Sequence, residues 1–209
     1  SGKWNLQTQG QAKGAGTWPA PPSAKRFAWG SNVTGRLGDG TTTNYSSPIQ
    51  VGTDTWTHLE SMYNAGGGVK EAGTLWMWGA NNSGRLGDGT TTARSSPVQI
   101  GALTNWLNVS CGYSTYAVKT DGSLWAWGFN GYGQLGVGNT TTYSSPVQVG
   151  ALTNWLSTAS SYQFALATKT DGTLWAMGYN TRGQLGDGTT TARNSPVQIG
   201  SFTDWLSIA

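Results

Sequence analysis

The residues best placed to do chemistry are few, and many sit in one recurring stretch. A GxLGxG run begins at Gly35, Gly84, Gly133 and Gly183, each time followed by a run of Thr. Gly-rich loops of this kind can cradle phosphate or calcium. Here no Lys occupies the place a P-loop requires, and no helix follows on which an anion could sit. The acidic position also fails to repeat: Asp39, Asp88 and Asp187 give way to Val137, which a repeated calcium site would not tolerate. The stretch therefore reads as structural turns. His58 is the single His, with Asn108, Ser157 and Ser207 at the matching places, and Cys111 is the single Cys. Neither a zinc site nor a Ser-His-Asp relay can be assembled from them, and no intrachain disulfide can form. Paired carboxylates for glycoside hydrolysis remain formally open among nine acids, but most, Asp121 and Asp171 among them, fall in turns that backbone geometry explains. No catalytic, cofactor-binding or metal-binding residue is expected.

Charge narrows the partner classes. The net charge is +3 over 209 residues, and its location matters more than its size. Lys3, Lys13, Lys25 and Arg26 lie at the start with no acid among them, whereas from Phe27 onward eight bases face nine acids. The body has no basic excess to neutralise a phosphate backbone, so no nucleic-acid partner is expected. No apolar run is long enough to span a membrane, so no membrane insertion is expected either, and the N-terminus lacks a secretory signal core. Ser1 is not an initiator Met, so the missing signal assigns no compartment.

Twelve Trp in a chain only 10% charged could serve as sugar-stacking platforms or as core. Ten of them hold equivalent strand positions where packing already demands a large apolar residue, and core is the stronger reading. Trp4 and Trp18 stand apart, in a Gly/Pro-rich arm (residues 1–24) that cannot easily bury them. With Lys13, Lys25 and Arg26 they are the candidate partner-docking residues of an attachment segment.

The elements that must carry these residues repeat with a period near 49. The Gly closing an aromatic strand falls at Gly30, Gly79, Gly128 and Gly178, and the Pro of a following strand at Pro48, Pro97, Pro146 and Pro196. Both series step by 49, 49 and 50 residues, and Trp56, Trp106, Trp155 and Trp205 keep nearly the same interval. Such a period announces a repeat architecture. Within one unit, WLNVS, TYAVK, SLWAWG and PVQV read as four short strands. The second and third should form a hairpin, with Asp121-Gly122 supplying the positive φ of its turn, and Asp171-Gly172 doing so one unit later. In the third strand Trp125 and Trp127 alternate with Leu124 and Ala126, so both faces are apolar and both need cover. Sheets stacked face to face around an axis, a β-propeller, supply that cover. A Pro opening the fourth strand fits a sheet edge.

The stretch LWAWGFNGYGQLGVGNTTTYSSPVQV, residues 124–149, resembles the repeat of the regulator of chromosome condensation family. The pattern of strand, WG, Asn, GQLG or GRLG, polar run and SPVQ returns at Trp29-Gly30 and Trp78-Gly79, with Met177-Gly178 as a departure. The resemblance covers about Lys25 to Ala209 and implies an all-β propeller of four-stranded antiparallel blades. The family's best-known members have seven blades, which at this period would need about 343 residues. This chain should hold about four blades in residues 25–209, three complete and one split. The first unit lacks its two opening strands, and the last stops at Trp205 to Ala209 after one. Closure into a ring with part of the arm, such as Trp4 to Gln9, continuation in a longer chain, and completion by a neighbour through open strand edges are all compatible.

The resemblance implies a protein-binding scaffold. Chromatin-bound members catalyse nucleotide exchange on a small GTPase through loop residues on one propeller face, not through the fold itself. Short, nearly repeat-identical loops leave little asymmetry for such a site here. GRLGDGTTTARSSPVQIG (84–101) and GQLGDGTTTARNSPVQIG (183–200) differ at two positions, and such units resemble bacterial and phage versions of the repeat. The expected function is a non-enzymatic structural or binding propeller of a virion or cell-surface assembly, with protein neighbours or a host-surface receptor as partners. A nucleotide-exchange-type or other protein-binding propeller and a carbohydrate-binding adhesin are the alternatives. A virion or extracellular location is expected, and a cytoplasmic one is compatible.

Overall fold

A strand that is apolar on both faces forces its sheet to be covered twice, and that demand organises the molecule. The computed structural model describes residues 25–62, 64–205 and 207–208; the arm, with Trp4, Lys13 and Trp18, lies outside them. Among the described residues there are fourteen strands and one 3-10 turn at Asn82–Gly84. β1 (Phe27–Gly30) and β2 (Tyr45–Gln50) form a two-stranded sheet. Three four-stranded antiparallel sheets follow, each in simple sequential order. They comprise β3 (Trp56–Met62), β4 (Ala65–Lys70), β5 (Leu75–Gly79) and β6 (Arg94–Gln99); β7 (Trp106–Ser110), β8 (Ser114–Lys119), β9 (Leu124–Gly128) and β10 (Tyr143–Gln148); and β11 (Trp155–Ser160), β12 (Phe164–Lys169), β13 (Leu174–Gly178) and β14 (Arg193–Gln198). This is the expected array of four-stranded antiparallel blades, three of them complete, with β1 and β2 as two strands of a further one; the strand expected at Trp205 is not formed among the described residues.

Local chemistry accounts for the turns. In the β8–β9 hairpin the Gly122 N–H donates to the Lys119 carbonyl at 2.9 Å, and Gly122 takes φ 77°. Asp121 keeps a negative φ and accepts from the Ser123 N–H and hydroxyl instead, so a single glycine supplies the left-handed residue of the turn. The outermost strands begin three residues before the Pro, at Tyr45, Arg94, Tyr143 and Arg193, earlier than the sequence suggested. The ladder of β10 onto β9 is irregular between Tyr143 and Val147, around Pro146. The missing N–H is tolerated there because the strand is an edge.

Packing between sheets is built from compensating sizes. Directly paired residues on the second and third strands are Gly67 with Met77, Tyr116 with Ala126, and Leu166 with Ala176. One large side chain fills each layer and its partner is small, so interior density is kept while the residue types change. A continuous apolar cluster joins Leu75, Met77 and Ile100 of one sheet to Trp106, Val109 and Trp127 of the next. The ends of the second strands add a cation to each layer. Lys70, Lys119 and Lys169 place their ammonium groups 3.7, 3.7 and 3.6 Å from the ring centres of Trp76, Trp125 and Trp175. Burial pushes the pKa of Lys119 and of Lys169 below the usual value, and the indole face compensates the lost hydration.

Candidate protein-binding face

The glycine-rich loop between the third and fourth strands is held from within by an Asn. Asn81 is buried; its amide donates to Asp88 Oδ1 at 3.0 Å and to the Thr90 and Thr92 carbonyls at 3.1 Å. Its carbonyl oxygen accepts from the Leu86 N–H at 2.9 Å. Asn180 makes the same set and Asn32 makes it without the second Thr carbonyl, while the carbonyl oxygens of Asn32, Asn130 and Asn180 accept from the Leu37, Leu135 and Leu185 N–H. In the third unit, where Val137 replaces the acid, Asn130 bonds the Asn139 and Thr141 carbonyls. The loop thus closes on its own side chains and backbone, the structural role expected of it.

These Asp are tuned by the same contacts. Burial is the largest influence on Asp88 and pushes its carboxyl up, but hydrogen bonds from Thr90, Arg94 and Asn81 together outweigh it and hold the pKa below the ordinary value. Asp187 is held well below it, chiefly by the Thr189 hydroxyl and then by Arg193. Arg94 and Arg193 pair with these Asp at 2.7 Å.

Among the described residues, the axial side offers no reactive constellation. A cavity of about 450 Å³ is lined by His58, Glu60, Asn108, Ser157 and Ile208 among others. His58 Nε2 lies 2.8 Å from the Val109 carbonyl and Asn108 donates to the Leu156 carbonyl at 3.0 Å. Both side chains therefore tie one inner strand to the next. Cys111 is fully buried, and burial pushes its thiol pKa up, which suppresses the thiolate. Among the described residues, no group of three or more His, Cys, Asp and Glu could hold a metal ion.

Of the sequence-derived docking residues, Trp4, Lys13 and Trp18 lie outside the described residues and Lys25 is exposed. Arg26 must be corrected. It is only 6% exposed, donates to the Leu37 and Gly38 carbonyls at 3.1 and 2.9 Å, and stacks 4.3 Å from the Trp78 ring centre. Burial lowers its pKa to about 10, so it stays cationic at neutral pH. Its charge is committed to tying the first sheet to the second.

The loops were also expected to be too alike to build an asymmetric surface, and the structure corrects this. Loops joining strands one to two and three to four emerge at one end of the sheets, where Phe129 N–H donates to the Tyr113 carbonyl and Tyr179 N–H to that of Gln163. There the buried guanidinium of Arg85 underlies the Tyr113 ring, 4.3 Å from its centre, and Tyr113 meets Tyr162 at 4.2 Å. A second row runs from Phe129 to Tyr132 at 5.9 Å and on to Tyr179 at 4.9 Å. Tyr162 is 54% exposed and Tyr132 38%. Unlike the ten repeat Trp, of which only Trp29 and Trp205 are exposed, these rings belong to no core. The available signal was departure from the repeat: Tyr132 stands where the other units have Thr34, Ser83 and Arg182.

Fold and loop face together define a repeat propeller that presents an aromatic surface on a rigid scaffold. The regulator of chromosome condensation (RCC1) repeat matches residues 26–61, 72–118, 121–168 and 171–209, and the chain belongs to that family. No curated protein sequence matches the chain. Among solved structures, human WBSCR16 is similar with TM-score 0.73 at 20% identity, over 83% of this chain and 47% of that one. Prp20p from Saccharomyces cerevisiae is similar with TM-score 0.74 at 17% identity, over 84% and 46%. The yeast RCC1 (Prp20) bound to Kap60 gives 0.72 at 18%, over 84% and 44%. The chain thus spans less than half the length of these structures.

Proposed function

We propose that this protein is a non-enzymatic binding propeller whose aromatic loop face docks a protein partner. The observation that carries this reading is the pair of ring rows, Tyr113–Tyr162 and Phe129–Tyr132–Tyr179, on one end of the sheets. Tyr is among the side chains enriched at binding hot spots, because it brings large contact area at low entropic cost together with a polar handle. The yeast relative Prp20p has described binding properties to Gsp1p and histones, which supports protein recognition as the use of such a scaffold. The arm, with Trp4, Lys13, Trp18 and Lys25, acts as the attachment segment in a virion or cell-surface assembly; low charge and near-identical units support that setting. Removing residues 1–24 should abolish incorporation into the assembly and leave the β-sheet circular dichroism unchanged.

The test is a comparison of proteins retained by the immobilised chain and by a Tyr132→Ala/Tyr162→Ala variant with the same melting temperature. Loss of a specific set of proteins in the variant supports the reading; identical sets refute it. Glycan-array binding lost in the same variant would replace it with a carbohydrate adhesin. Nucleotide release stimulated from a small GTPase would replace it with an exchange factor.

A further inference from the structure

At the end of the sheets opposite the aromatic rings, each hairpin between a second and a third strand is locked to the loop that opens the next unit. The backbone N–H of Trp106 donates to the Gly73 carbonyl and that of Trp155 to the Gly122 carbonyl, both at 3.0 Å. From the other side the Thr120 and Thr170 N–H donate to the Asn105 and Asn154 carbonyls at 2.9 Å. Gly73 and Gly122 have positive φ and press on the carbonyls of Thr104 and Thr153, with no room for a side chain. The loops at 101–105 and 150–154 are therefore each clamped between two hairpins, and what they expose is held in place.

What they expose is apolar. Leu103 and Leu152 are each 49% exposed at the same place in successive units. Described sheets flank both, so this exposure does not come from the limits of the array. A lone exposed Leu needs no explanation. Here, however, an exposed carboxylate stands on each neighbouring hairpin: Glu71 before Leu103, Asp121 between Leu103 and Leu152, and Asp171 after Leu152. Asp121 and Asp171 accept through Oδ1 from the N–H and hydroxyl of Ser123 and Thr173, which fixes each carboxylate and holds its pKa below the ordinary value. The lysines of the same hairpins are not displayed beside them. Lys119 and Lys169 are 5% exposed and lie on the Trp125 and Trp175 rings, and Lys70, on the Trp76 ring, pairs with Asp54 at 2.9 Å. No Lys or Arg occurs at 71–72, 101–104, 120–121, 150–153 or 170–171. The arc presents acid, Leu, acid, Leu and acid in turn.

We propose that this arc docks a basic segment of a partner protein, one that sets Lys or Arg against the carboxylates and apolar side chains against the leucines. Complementary charge selects and orients such a segment, and apolar area removed from water holds it. The same carboxylates repel the phosphates of nucleic acid and of lipid headgroups. They stand on separate hairpins, and no cluster able to hold a metal ion occurs among the described residues. The arc lies at the far end of the sheets from the aromatic face, so one propeller can engage a different partner at each end.

The test is fluorescence anisotropy of a labelled peptide of four Lys-Leu-Ser repeats with the 209-residue chain, beside the same peptide with Glu for Lys and with Ser for Leu. Saturable binding of the first peptide alone is expected below about 100 μM, weakening at least fivefold between about 0.05 and 0.5 M salt. Leu103→Ser/Leu152→Ser should weaken it about tenfold, and Asp121→Asn/Asp171→Asn about threefold with a smaller salt dependence. Both variants should keep the circular dichroism of the parent. Backbone amide shifts on titration, which need no variant, should centre on Leu103, Asp121 and Leu152. No binding at that concentration, equal binding of the Glu peptide, or shifts centred on another face overturns the proposal. Binding that appears only once residues 1–24 are removed also overturns it, because the chain's own basic arm would then be the occupant.

Discussion

Trp127 and Trp29 hold the same place in the repeat, yet one is fully buried and the other 59% exposed. Trp127 is roofed by the preceding unit, whose Arg85 carbonyl takes its N–H, whereas no described sheet precedes Trp29. A residue type in a repeat therefore fixes what a side chain can pack against, and the neighbour decides whether it does. This contrast gives the largest expected effect. Trp127→Ala should cost about 3–5 kcal/mol, since it opens a cavity and strands a buried carbonyl. Trp29→Ala should change the stability of the dilute single chain by no more than about 0.5 kcal/mol. Urea melts at low micromolar concentration read both, and equal losses would mean that the first sheet is covered in solution.

The second contrast lies between the buried Asn and the loop it holds. Asn130→Ala leaves the Leu135 N–H and the Asn139 and Thr141 carbonyls without their partner, at a cost of about 2–3 kcal/mol. Thr34→Ala, at a more exposed place on the equivalent loop of the first unit, should cost well under that. If the two melts coincide, the Asn does not organise the loop.

The period, the four strands per unit and the structural nature of the GxLGxG turns were legible because each rests on local chemistry: alternation, Asp-Gly turns and glycines recurring in step. What stayed hidden depends on neighbours. Arg26 looks like a member of a basic arm, and only the opposing sheet shows that Leu37, Gly38 and Trp78 surround it. The Asn at 32, 81, 130 and 180 is visible as a repeated letter, but its bonds reach up to eleven residues along the chain. The aromatic face draws its rows from loops of different units, so no single window of sequence contains it. The early start of the outer strands was missed because Pro was read as an opening residue, while an edge strand tolerates it inside.

The smallest effect separates units that carry the loop Asp from the one that does not. Asp88 and Asp187 have pKa values held below the ordinary carboxylate value, by hydrogen bonds from Thr90, Arg94 and Asn81 and from Thr189, Arg193 and Asn180. A depressed folded-state pKa contributes stability that is complete above the unfolded value, near 4, and is lost as pH falls through the folded one. The second and fourth units should therefore loosen below about pH 4, while the third, with Val137 in place of the acid and Asn139 bonding Asn130 and Tyr143, holds its loop unchanged. Amide exchange at pH 3 and pH 6 distinguishes the units. Leu86 and Leu185, which donate to the Asn of the Asp88 and Asp187 loops, should lose protection relative to Leu135, and Asp88→Asn should remove the pH dependence at Leu86 alone. Equal acid sensitivity at Leu135 would mean that the loops respond to charge elsewhere in the blade and not to the carboxylate they enclose.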